Sequence, residues 1–168
     1  MHALALVLVL VSQLALASAL AAQETADESQ SASCTLEDQN QIVLRYQKPG
    51  KKDARDLPAG KVWTPGGAPV SLFTETPLRI GNADLAVGAY SIYFLPGKTE
   101  WTLVVNKNVA AGSAYDEKQD LARIHMQVVK MDSSSQELTL SLGHIASKQC
   151  ELRLYFGKVA TWATVTEK

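Results

Sequence analysis

Asp120 and Arg123 stand three residues apart, Asn106 and Lys107 close an apolar run, and Trp63 sits close to Pro65, Gly66, Gly67 and Pro69. At these places side-chain type and spacing admit chemistry. An acid and a base at i, i+3 pair across a helical turn for roughly 0.2–0.5 kcal/mol. The pair is either a loop-closing salt bridge or part of a ligand site, and structural pairs are the commoner kind. Asn-Lys at a strand end offers donors to an anion, or simply ends the strand with its lysine in water. A tryptophan offers a wide apolar face and one N–H, which suits stacking on a ring or sugar. Tryptophan is also highly buried on average, so Trp63 has a second reading as the plug at one end of a core.

Other chemistries find less support. Beyond residue 2 the only histidines are His125 and His144, and neither belongs to an HxH or HExxH pattern, so no metal is expected. No serine sits in a G-x-S-x-G turn. Gly66-Gly67 lacks a following Lys-Ser/Thr and does not read as a phosphate cradle. No cofactor is expected. Asp116 and Glu117 lie in a polar stretch where a solvated role suffices. The formal charge is -1, from 16 basic and 17 acidic residues. There is no long block of one sign, which argues against nucleic acid as a partner.

The elements that must position these residues follow from the apolar pattern. Hydrophobic residues make up 46% of the 168-residue chain and charged residues 20%, as in an ordinary globular protein of one domain. Residues 1–21 read as a secretory signal peptide, with an apolar run from Ala3 and a small-x-small end at Ala19-Leu20-Ala21. The run is short and interrupted for a membrane span, so no span is expected after cleavage. Residues 22–33 are polar and aperiodic and read as a disordered leader. Cys34 and Cys150 are the only cysteines, one near each end of the exported portion. In an oxidising compartment they are expected to pair.

From Cys34 onward the chain alternates. Tyr90, Ile92 and Phe94, then Trp101, Leu103 and Val105, flank the break Pro96-Gly97 and predict a central antiparallel hairpin. Leu138, Leu140 and Leu142, and Leu152, Leu154 and Phe156, predict two more strands with these residues inward. Turns are expected at Asp132–Ser135 and Gly157-Lys158, and loops at Gln47–Gly60 and Gly143–Gln149. Within the first of those loops Lys48, Lys51, Lys52 and Arg55 form either a small positive patch or a solvated surface. Tyr115–Leu121 is the one helical stretch, about two turns and marginal alone. Nine or ten short strands with almost no helix predict an all-β fold. The expected form is a single antiparallel β-sandwich over residues 34–166, jelly-roll-like, with one short helical turn.

Three segments carry a family resemblance: LPAGKVW from Leu57, GAYSIYFLPGKTEWTLVVNK from Gly88, and YDEKQDLARI from Tyr115. The chain resembles the bacterial exported family catalogued as domain of unknown function 2911. The resemblance implies a β-sandwich behind a signal peptide and supplies no reaction. Family-type residues present are Tyr46, Pro49, Trp63, Gly66, Asn106, Lys107, Tyr115, Asp120 and Arg123. Family members commonly continue Trp-Arg-Thr-Gly-Ala-Asn-Glu-Ala; here Thr64, Pro65, Gly67, Ala68 and Pro69 replace the polar and charged members of that run. Trp63, Asn106, Lys107, Tyr115 and Arg123 are the candidate binding residues, if the fold brings them together. With no catalytic set visible, the expectation is a secreted or periplasmic binding module for a small molecule, glycan or envelope partner. A hydrolase or lyase with a loop-built site is the alternative.

Overall fold

Among the described residues the alternating runs form nine strands: β1 Ser29–Thr35, β2 Gln41–Gln47, β3 Val70–Thr74, β4 Leu78–Ile80, β5 Ala83–Leu85, β6 Gly88–Leu95, β7 Trp101–Asn106, β8 Asp120–Ala146 and β9 Gln149–Glu167. The computed structural model describes residues 29–49 and 57–168. All pairings are antiparallel, in the order β1-β2-β3-β6-β7-β8-β9-β4-β5. The hairpin β6–β7 is central, as its apolar character requires. β4 and β5 leave the meander after β3 and pair beyond β9.

One sheet makes both layers of the sandwich. β8 pairs with β7 through Met126 and with β9 from Gln127 onward, so it passes from one layer into the other. β8 and β9 then lie over β1 and β2. Cys34 of β1 is bonded to Cys150 of β9, 116 residues away. The Leu140 amide of β8 donates to the Tyr46 hydroxyl of β2 at 3.3 Å. Between the layers lies one core that includes Ile42, Leu44, Leu72, Ile92, Trp101, Leu103, Leu140, Leu154 and Phe156. Each such side chain contributes about 1.5–3 kcal/mol on full burial, which is why the period-two pattern governs the fold.

Several boundaries differ from expectation. Residues 1–21, expected to be a signal peptide, lie outside the described residues. Ser29–Ser33, expected in a disordered leader, form most of β1 because their backbone groups pair with Val43–Gln47. Asp132–Ser135 does not reverse the chain; it lies in a bulge of β8, between the pairs Lys130↔Val159 and Ser135↔Gly157. Gly157-Lys158 likewise bends β9 without ending it. The loop expected at Gly143–Gln149 shrinks to residues 147–148, because β8 runs on to Ala146. The helical stretch is a single 3-10 turn, Glu117–Gln119, capped by Asp116, whose carboxylate accepts from the Lys118 amide at 3.0 Å. A second 3-10 turn, Pro65–Gly67, follows Trp63. Lys51, Lys52 and Arg55 lie outside the described residues, and Lys48 reaches Glu137 at 3.6 Å.

Candidate functional site

Strand alternation sends Trp101, Leu103 and Val105 into the core, so Val104 and Asn106 of β7 point to the opposite, outer face. Ser91 and Tyr93 of β6 share that face, yet all four are buried. The segment Lys107–Gln119 covers them. Asn106 is its anchor: its Nδ2 donates to the Asp116 carbonyl at 2.9 Å and to Asp120 Oδ1 at 2.8 Å, and its Oδ1 accepts from the Asn108 amide at 2.9 Å. Ser91 Oγ donates to the Asn108 carbonyl at 2.8 Å. Tyr115 lays its ring edge-on against Tyr93, centroids 4.9 Å apart.

Asp120 and Arg123 complete this cluster from the start of β8. Tyr115 donates its hydroxyl hydrogen to Asp120 Oδ2 at 2.6 Å, and Arg123 Nε donates to the same oxygen at 3.0 Å. Arg123 Nη2 donates to the Tyr115 oxygen and to Glu117 Oε1, both at 2.8 Å. Burial, then the Asp120 carboxylate, pushes the Tyr115 phenol up to about 12. The bond to Asp120 raises the Arg123 guanidinium further above its usual range. Tyr115 is therefore a neutral phenol, not a base, and Arg123 is a permanent cation already shared among three oxygens. The arrangement fastens a loop over the sheet. The i, i+3 acid–base pair forms, but with Arg123 on a strand and not on a helix.

The five sequence candidates do not meet. Asn106, Tyr115 and Arg123 are in this network. Lys107 contributes its backbone amide, which donates to the Gln119 carbonyl at 3.0 Å, while its side chain is exposed. Trp63 lies on the other face, in the core. It bridges to Phe94 through backbone bonds and packs on Phe156 at 5.5 Å, Trp101 at 6.1 Å and Phe94 at 6.4 Å. Of its two readings the plug is the one present. The physical reason is alternation: Trp63 pairs with inward Phe94, while Tyr115 packs on the next residue, outward Tyr93.

A concave place not singled out in the sequence lies on the outer face of β9. Glu151, Arg153 and Tyr155 point outward before the bend, and Ala160 and Trp162 point outward after it. Gly157, at φ +59°, supplies the bend with a left-handed conformation that side-chain-bearing residues rarely adopt. The elbow borders an open concavity of about 200 Å³ lined by these five residues and Thr161. Arg153 Nε donates to Glu151 Oε2 at 2.8 Å, and Nη2 is 2.7 Å from the same oxygen. The guanidinium lies against Gly143, where a Cβ would stand 3.1 Å from Nη1. Bonding to Glu151 raises the Arg153 guanidinium further above its usual range. The sequence did carry a signal. Buried positions run Cys150, Leu152, Leu154, Phe156, then shift phase to Thr161, Ala163, Val165. Such a slip within one strand marks a bulge and a change in direction.

Comparison with known families places the chain. A family described as a protein of unknown function, DUF2911, matches residues 27–165. The chain belongs to this family. No curated protein and no solved structure matches it. Among the residues on which the sequence resemblance rests, Tyr46 joins the layers, Trp63 fills the core, and Asn106, Tyr115, Asp120 and Arg123 fasten the loop. Gly66 adopts φ +72° where a Cβ would run into the Gln47 carbonyl. These residues build the scaffold of this chain, and none of them lines the elbow. Residues 64, 65 and 67–69, where the sequence is expected to depart from the family pattern, fall in and around the 3-10 turn that follows Trp63.

Proposed function

We propose that the protein is an exported binding module whose ligand enters the elbow of β9. The observation that carries this reading is the juxtaposition in one concavity of two aromatic side chains, Tyr155 and Trp162, with the Glu151–Arg153 pair. Ligand sites are concave and mostly apolar, with a few placed polar groups, and this place has that composition. The Asn106–Arg123 cluster has its polar atoms committed to one another, which suits support better than recognition. The Cys34–Cys150 bond fits an oxidising compartment, and no helix among the described residues is long and apolar enough to cross a membrane. The disulfide and the signal-peptide pattern of residues 1–21 support the reading of an exported protein.

The test is a fragment-library thermal shift on the native protein and on Trp162→Ala. A ligand of the folded state stabilises it by mass action, about 2.7 kcal/mol at one hundred times Kd. At least one fragment should raise the melting temperature of the native protein and leave the variant unmoved. Equal shifts in both proteins, or none in either, would overturn the reading.

A further inference from the structure

Resting on that reading, we propose that the elbow holds one ring of a neutral saccharide. Three features select this class. The first is size. A cavity of about 200 Å³ lies below the range of roughly 300–1,000 Å³ that takes drug-sized ligands. It admits a single ring, with any further units lying outside.

The second is charge. Glu151 and Arg153 cancel within the lining of the site, their side chains 20% and 37% exposed. An anionic ligand drawn to Arg153 meets the Glu151 carboxylate at its side, and a cation drawn to the aromatic rings meets the guanidinium. A neutral ligand meets neither repulsion. Both contacts from Arg153 to Glu151 run to Oε2, and Tyr155 also interacts with the guanidinium. The guanidinium keeps further N–H donors, since it carries five in a fixed fork, and Glu151 keeps Oε1 as an acceptor. A donor and an acceptor side by side match adjacent hydroxyl groups, each of which both gives and accepts a hydrogen bond.

The third is the apolar wall. Tyr155, Ala160 and Trp162 cover what the ion pair does not. A pyranose has C–H-rich faces and a hydroxyl rim, so its faces suit the rings and its rim suits the pair. Aromatic side chains with a polar tip serve such half-apolar ligands well. A purely aromatic ligand would bury the Glu151–Arg153 pair without satisfying its remaining groups, which is costly.

The experiment is a titration of the protein, expressed from its full 168-residue sequence, with glucose, galactose, N-acetylglucosamine and their short oligomers. Glucuronate and choline serve as anionic and cationic probes at equal concentration, and binding is read by calorimetry. At least one neutral saccharide should bind with millimolar or tighter Kd, weakened about tenfold or more by Trp162→Ala and by Glu151→Gln. Glu151→Gln keeps the shape of the site, so its loss of affinity distinguishes a lost acceptor from a damaged fold. Neither charged probe should compete. Binding of choline or glucuronate with no neutral saccharide bound would overturn the saccharide class and leave the binding module standing. No binding by any neutral saccharide, with no fragment hit in the thermal-shift screen, would overturn both. Saccharide binding unchanged in both variants would place it elsewhere and overturn the elbow as its site.

Discussion

Tyr115 keeps its proton well into the alkaline range because burial and the Asp120 carboxylate both oppose a phenolate. The consequence for stability has a definite sign. Below pH ~10, the ordinary tyrosine value, folded and unfolded states both carry the proton and the Tyr115 contribution is complete. Between there and about 12, the unfolded chain loses the proton more readily and the contribution drains away. The melting-temperature gap between the native protein and Tyr115→Phe should therefore narrow as pH rises through that window. A gap that widened would mean that Asp120 is not the partner. Trp63 makes a contrasting case. It packs on Phe94, Trp101 and Phe156 in the core, so Trp63→Ala should cost about 3–5 kcal/mol in denaturant unfolding while saccharide affinity stays unchanged. Its residue type and neighbours allowed both a plug and a platform. Only its pairing with Phe94, thirty-one positions on, decides between them.

At the scale of elements, Asn106 holds a whole segment. It donates to Asp116 and Asp120, accepts from Asn108, and is fully buried. Asn106→Ala removes these three bonds, at about 1–3 kcal/mol for a buried group, while Asp116 keeps the Gln119 amide and Asp120 keeps Tyr115 and Arg123. Amide exchange in Lys107–Gln119 should accelerate while β6 and β7 stay protected; uniform acceleration across the sheet would assign Asn106 to the fold as a whole. The strands themselves were readable because an inward-outward period of two registers one buried face. Leu138, Leu140, Leu142, Leu152, Leu154 and Phe156 are all buried, as their alternation implies. Bends were harder. Asp132–Ser135 and Gly157-Lys158 have the composition of turns, and the same composition suits a bulge. Which one forms depends on whether the flanking strands pair on with each other, a long-range property. The elbow cavity was missed for that reason, although the phase slip after Phe156 was present in the chain.

The whole molecule is one sheet brought back on itself, and its closure has a covalent fastening. The Cys34–Cys150 bond ties the first strand to the last across 116 residues. Chain-entropy arguments give such a loop about 5 kcal/mol, and removing a native disulfide typically costs 2–5 kcal/mol. Replacing both cysteines with serine should lower the unfolding free energy by about that amount, and reduction of the native protein should do the same. A variant as stable as the parent would show that packing between the layers suffices. The all-β class, the central hairpin and the cysteine pair were legible because composition, period and cysteine count each report globally. That both layers belong to one sheet was not, since β8 and β9 pass through the expected turns without a local mark of their length. The account stands on the elbow that this folding creates. Backbone amide and tryptophan indole NMR shifts, followed during titration with the tightest neutral saccharide, locate the ligand directly. Shifts concentrated at Arg153, Tyr155, Ala160 and Trp162 are expected, with the Lys107–Arg123 region unmoved; shifts concentrated in Lys107–Arg123 with the elbow silent would contradict it.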